Sequence, residues 1–264
     1  MKFGICQDPI RAIDNFPNPA DYIEISASSV YNYSDEAFLK VKKAVDDGII
    51  KTYSANGLVI PDLRLTGGDV NFEAIRNYCD KTFYKLAELG VSMLVFGSGK
   101  AKHVPDGFSM EKAWDQLFEV GRIFSEKAKP FGQKIAVEPL SYNEVNIVNT
   151  VEDGAFYVSN VNCGNFRLLV DFYHFFNNKE DVSSIVKNAH LLEHVHFASK
   201  VRAMPKNEEE WMHFRSCIKL LSDIGYKAGV SFEGAAVEGM KADEGNAVGQ
   251  TYLQQVYAVA ECIG

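Results

Sequence analysis

The sequence predicts an α/β fold: a single (β/α)8 barrel, the TIM-barrel architecture, occupying residues 1–264 as one domain. Three observations carry this. Short apolar, β-branched runs alternate with longer amphipathic segments along the whole chain. There are eight such runs. No low-complexity stretch, charge block or Pro/Ser-rich linker divides them. Eight buried strands, each followed by a helix or crossover, close most simply into a barrel. The alternative, an open doubly wound sheet, lacks a GxGxxG after the first strand.

The eight runs are KFGIC (2–6), YIEIS (22–26), KTYSA (51–55), SMLVFG (92–97), KIAVE (134–138), FRLLVD (166–171), LEHVHF (192–197) and KAGVSFE (227–233). Between them apolar residues recur at helical spacing. Ser34 is a good N-cap for a helix with Phe38, Val41, Ala44 and Val45 on one face. Ser109 precedes Trp114, Leu117, Gly121 and Phe124. Thr150 and Asp153 have capping-box spacing. A last helix is expected from about Ala247 to Cys262, with Val248, Tyr252, Val256 and Val259 aligned.

Composition narrows the function classes. Hydrophobic residues make up 47% of the 264, so a core can form without disulfides or structural metals. The 27 basic and 35 acidic residues give a net charge of −8. That balance opposes nucleic-acid binding, which rests on clustered Lys and Arg. No apolar run reaches the roughly 20 residues that span a bilayer. The N-terminal MKFGICQDPIRAIDNF has no long apolar h-region, so no signal peptide is expected. Five scattered cysteines without a CxxC pair suit a reducing cytosol, and a cytoplasmic location is expected.

In a barrel, chemistry gathers where strands end at the C-terminal face. The last four runs end on Glu138, Asp171, His196 and Glu233. Side chains alternate along a strand. An inward Ala136 therefore implies an inward Glu138, Leu169 an inward Asp171, and Ser231 an inward Glu233. His194 shares the face of His196, one layer deeper. Any one of these acids alone reads more readily as a helix N-cap or a solvated loop residue. Jointly they would set three carboxylates and an imidazole at one mouth. Uncompensated, such carboxylates repel at a cost of several kcal/mol. A divalent cation removes the conflict, and oxygen-rich ligation with one His suits Mn²⁺, Mg²⁺ or Co²⁺.

Further residues hang on this frame. His174 lies three residues after Asp171, Glu144 six after Glu138, and Arg202 six after His196. Glu24, inside YIEIS, reads as an internal hydrogen-bonding group. GSGK (97–100) lacks the Ser/Thr of a phosphate loop and reads as a turn. Trp114 and Trp211 fall in helical patterns and read as core-forming residues.

These segments resemble the sugar isomerase/epimerase superfamily with a xylose isomerase-like barrel, and within it the ketose 3-epimerases of the tagatose/psicose type. The resemblance rests on VEPLSYNE (137–144), VDFYH (170–174), HVHFASKVRAMP (194–205) and SFEG (231–234). It covers the second half of the chain well. The first half is covered only by strand count and SANGLVIP (54–61). The resemblance implies one divalent metal, foremost Mn²⁺ with Mg²⁺, Co²⁺ or Zn²⁺ as alternatives, on Glu138, Asp171, His196 and Glu233. It implies a sugar held by Glu144, His174 and Arg202, and allows a homodimer or homotetramer. The chain departs from the pattern at Ser199 and Lys200-Val201, where the epimerases carry an acid and Asn-Arg. It departs again at Ser141-Tyr142-Asn143 after Leu140. The loops that choose the sugar therefore differ.

The implied chemistry is C3 epimerisation of a ketose through an enediolate, with Glu138 and Glu233 as the paired acid and base. An enediolate formed between C1 and C2 instead, with the proton moved from one of these carbons to the other, would make the same site an aldose–ketose or hydroxypyruvate-type isomerase; inosose dehydratases share the frame as well. An apurinic endonuclease would need a three-metal cluster, and the early strand ends supply no further His for one. A non-catalytic sugar-binding relative would need no paired acids. The expected partner is a small-molecule sugar, with neither nucleic acid nor membrane.

Overall fold

A computed structural model describes residues 1–14, 16, 20–205, 207–234 and 256. In chain order the elements are β1 (Lys2–Cys6), α1 (Pro9–Asp14), β2 (Tyr22–Ser26), α2 (Ala27–Asn32), α3 (Asp35–Asp46), β3 (Thr52–Asn56), α4 (Phe72–Glu88), β4 (Met93–Phe96), α5 (Gly99–Lys102), α6 (Met110–Ala128), β5 (Lys134–Val137), α7 (Val151–Val161), β6 (Phe166–Asp171), α8 (Phe172–Asn177), α9 (Ser183–Asn188), β7 (Leu192–Phe197), α10 (Glu208–Asp223) and β8 (Gly229–Phe232). The eight strands pair in parallel and in sequence order, and β8 returns to β1 to close the barrel. Every strand lies on one of the eight runs read from the sequence, β3 reaching one residue further, to Asn56. The helix expected at 247–262 lies outside the described residues, Val256 excepted.

Alternation along the strands divides the apolar residues into two sets. Met93, Val95, Ala136 and Leu169 meet inside the barrel, with Tyr53 against them. A much larger set fills the space between the strands and the outer helices. Ala136 and Leu169 are thus interior, and the parity reasoning for Glu138 and Asp171 stands. The pairing aligns Asp171 with His196, and His196 with Ser231, as neighbours around the ring.

Helix starts follow the expected chemistry. The Ser34 hydroxyl accepts from Ala37 N–H, and Ser109 from Lys112 N–H. Thr150 and Asp153 complete a reciprocal capping box at α7, satisfying two otherwise orphaned donors. Trp114 lies among Phe118, Phe156 and Tyr157, as a core-forming residue should. Among the described residues Cys6, Cys79, Cys163 and Cys217 are free thiols. No helix among them is long and apolar enough to cross a membrane.

Candidate active site

The four strand-end residues converge. Glu138 and Glu233 stand immediately beyond β5 and β8, and Asp171 and His196 are the last inward positions of β6 and β7. One ligand atom from each lies within 4.8 Å of the others. Asp171 and His196 are 2% and 0% exposed, and Glu138 is buried too.

Asp171 satisfies both readings that its sequence position allows. Its Oδ1 accepts from Tyr173 N–H at 2.8 Å and caps α8. Its Oδ2 is buried and has no hydrogen-bond partner among the described residues. An orphaned carboxylate oxygen beside two other carboxylates is a place for a cation. The electrostatics agree. Burial and the charges of Glu138 and Glu233 push the Asp171 carboxyl up to about 8.

His196 is held from behind. Its Nε2 donates to Glu24 Oε1 at 2.8 Å, while Nδ1 faces Glu138 Oε1 at 3.1 Å and Glu233 Oε2 at 3.4 Å. A carboxylate on the far nitrogen fixes the tautomer of a metal-binding histidine and raises its basicity. Burial opposes charging His196, but Glu24, Glu233 and Glu138 outweigh it and push its pKa well up. Glu24 is itself fully enclosed. Its Oε2 accepts from Ser54 Oγ at 2.6 Å, Ser231 Oγ at 2.7 Å and His194 Nε2 at 2.8 Å. Burial opposes its ionisation, yet His196 and His194 hold its carboxyl well below the usual range. Cys6 also lies close to Glu24 and His196. With four donors already on Glu24, that trio is a hydrogen-bonded floor under the site rather than a second cation site.

The residues expected to hold substrate stand around this cluster. His174, 1% exposed, accepts from Ser141 N–H at Nδ1, 3.2 Å away. The ring proton of the neutral imidazole must then sit on Nε2, which is buried, has no hydrogen-bond partner among the described residues and lies 3.5 Å from Asp171 Oδ2. Burial pushes the His174 pKa down to about 4, so the ring is neutral near pH 7. Arg202 donates from Nη2 to Glu233 Oε2 at 2.8 Å and from Nη1 to Glu144 Oε1 at 3.5 Å. Its guanidinium lies 5.1 Å from the Tyr173 ring centroid. The backbone of Arg202 takes φ +52°, a left-handed conformation costly for a non-glycine residue. A tight turn, with Arg202 N–H on Ser199 O and Ser199 N–H on Ala203 O, imposes it.

Two site features were not legible in the sequence. Gly97, in the GSGK turn, lies against Glu138: an added Cβ would come within 2.2 Å of Glu138 Oε2. Lys102, fully buried, donates from Nζ to the Glu138 carbonyl at 3.0 Å. Burial pushes its pKa down to about 7. Both secure the end of β5.

Comparison with known proteins follows the same line. A model of the xylose isomerase-like TIM barrel family matches residues 19–253. The chain belongs to that family. The D-psicose 3-epimerase of Agrobacterium fabrum is 25% identical over 220 residues, spanning 81% of this chain and 74% of that protein. A D-psicose 3-epimerase from Clostridium cellulolyticum H10, solved with D-tagatose, superposes with a TM-score of 0.84 at 19% identity over 98% of this chain and 99% of that one. A 3-keto-D-glucoside 4-epimerase from E. coli gives 0.77 at 20% identity over 99% and 100%. At such identities the structural likeness shows the shared barrel. The relatives' names are those of carbohydrate epimerases, in line with an isomerase-class enzyme.

Proposed function

We propose that this chain is a divalent-metal-dependent ketose epimerase that inverts C3 by moving a proton between Glu138 and Glu233. The observation that supports the reading most is the pair of glutamates on β5 and β8. They approach one cluster from different arcs of the barrel, and an orphaned Asp171 oxygen and His196 Nδ1 lie between them. Glu138, Asp171, His196 and Glu233 would hold the cation, Mn²⁺ by preference for this oxygen-rich set. When bound it would supply Lewis acidity to the carbonyl and hydroxyl oxygens of an α-hydroxy ketone.

The protein's own groups do the rest. One glutamate removes the C3 proton, which is acidified by the adjacent carbonyl. The other returns a proton to the opposite face, and each such transfer contributes roughly 10²–10⁴-fold. Oxyanion charge develops as the proton leaves. His174 Nε2–H and the Arg202 guanidinium are donors available to meet it. Glu144, partnered by Arg202, would orient sugar hydroxyls. The small-molecule sugar is the partner, and free cysteines suit a cytosolic setting.

The test is solvent exchange. D-psicose, D-fructose, D-tagatose and L-ribulose are incubated in D₂O with Mn²⁺ and followed by NMR. Deuterium at C3 with formation of the epimer is expected. Deuterium at C1 with an aldose product would make the chain an isomerase, and no exchange in any ketose would overturn the reading. Metal content should be one ion per chain; three would point to nuclease chemistry.

Two predictions follow from the side-chain roles. Arg202→Ala and Glu144→Gln should keep metal content near wild type, because neither supplies a ligand atom to the cluster. Each should lower kcat/KM, Arg202→Ala by roughly 10²-fold as expected for losing an oxyanion donor. If either empties the metal site, its role is wrongly assigned. The second prediction concerns protons. Near pH 7 the metal-free protein keeps protons on Asp171, whose carboxyl stands at about 8, and on His196, whose pKa is pushed well up. Ligation needs both groups deprotonated, so binding should release protons and weaken as pH falls. Calorimetric titration of Mn²⁺ in buffers of different ionisation enthalpy should show net release of roughly one to two protons. A heat independent of the buffer contradicts it.

A further inference from the structure

Glu233 is clamped at both oxygens by protein groups. Oε2 takes the Arg202 ion pair and faces His196 Nδ1, and so is the oxygen turned toward His196 and the candidate cluster. Oε1 takes a hydrogen bond from Asn56 Nδ2 at 2.9 Å. A carboxylate can only accept, so the amide nitrogen must be the atom facing it. Asn56 ends β3, and Gly57 after it takes φ +55°, a left-handed conformation that glycine adopts freely. The same amide lies 3.5 Å from Cys6 Sγ at the end of β1. Glu138 has no such partner from the early strands; its support comes from Lys102 and Gly97. Apart from His196 Nδ1, which faces both, the two glutamates are thus supported by different groups, Asn56 and Arg202 for Glu233 and Lys102 and Gly97 for Glu138.

We infer that Asn56 is a positioning residue for Glu233, fixing the plane of its carboxylate so that one oxygen stays on the metal side while the other is aimed at the proton it transfers. This rests on the two-glutamate reading given above. A carboxylate tethered at one oxygen only can rotate about its terminal bond. Proton transfer needs the acceptor held in line, and small misplacements there cost large factors in rate. Among the four candidate ligands Asn56 hydrogen-bonds to Glu233 alone, so its effect should be one-sided. That asymmetry separates positioning from a general loosening of the barrel.

The test compares Asn56→Leu and the smaller Asn56→Ala with Glu233→Gln and Glu138→Gln. Each is given D-psicose and, separately, its C3 epimer D-fructose in D₂O with saturating Mn²⁺, and initial deuterium incorporation at C3 is recorded. Mn²⁺ affinity is measured on the same preparations. Both Asn56 variants should lose roughly 10–100-fold in exchange for the one epimer whose exchange Glu233→Gln also abolishes, as supporting residues around a metal site do. Exchange of the other epimer and Mn²⁺ affinity should stay within about threefold. Opposite selectivity in the two Gln variants, together with equal slowing of both epimers in the Asn56 variants, removes Asn56 from this role while leaving the two-base reading intact. Absence of opposite selectivity in the Gln variants overturns the two-base reading, and the role of Asn56 falls with it. A large drop in Mn²⁺ affinity in both Asn56 variants also refutes it, since the metal side of Glu233 would then depend on Asn56.

Discussion

Glu233→Gln should stop epimer interconversion while leaving proton exchange in one epimer. The amide oxygen of Gln can still face the cluster, so the cation keeps a ligand atom there. The lost carboxylate charge weakens the site in part, because Arg202 and His196 both lean on Glu233. Turnover suffers more. A glutamine cannot accept the C3 proton, and losing a general base costs roughly 10²–10⁴-fold. Glu138 is untouched and can still take a proton from the epimer that presents its C–H to the β5 side. That epimer should incorporate deuterium without becoming the other. Glu138→Gln should show the mirror preference. If both variants interconvert the epimers at near wild-type rate, the proton does not pass between these two glutamates.

The fold was legible because strand period and barrel geometry are local and repetitive. Eight runs of the right length had one closed arrangement available, and parity along each strand told which side chain points inward. The same parity brought Glu138, Asp171, His196 and Glu233 to one mouth before any contact was known. The groups behind them escaped for a physical reason. Glu24 reads as interior, but its partners Ser54, His194, His196 and Ser231 come from β3, β7 and β8, and no local spacing announces them. Lys102 looks like a solvated lysine after a glycine turn, yet the turn buries it under β5. Asn56 was visible only as one letter of SANGLVIP; its contact with Glu233 joins strands separated by 177 positions. Asp171 shows that the bland reading and the functional one need not compete, since one oxygen caps a helix while the other faces the cluster.

His196→Ala should abolish tight metal binding while the barrel still folds. Nδ1 of His196 is the one nitrogen in the cluster, and without it three carboxylates face each other with no neutral ligand between them. The structural cost is bounded. The substitution leaves a cavity and takes from Glu24 Oε1 its one donor among the described residues, whereas Oε2 keeps Ser54, His194 and Ser231. Removing one partner of a buried charged pair costs about 3–5 kcal/mol, against the roughly 5–15 kcal/mol that holds a typical domain. The melting temperature should fall by about 2–4 °C for each kcal/mol lost, and Mn²⁺ should no longer raise it. His194→Ala is the control. It removes a partner from the same carboxylate, but His194 has no atom in the cluster and Glu24 Oε2 retains two hydroxyl donors. That variant should lose stability yet still gain it back on adding Mn²⁺. An active, metal-replete His196→Ala protein would exclude His196 as a ligand. Equal loss of metal in His194→Ala would mean that the floor beneath the site, rather than the nitrogen facing it, governs binding.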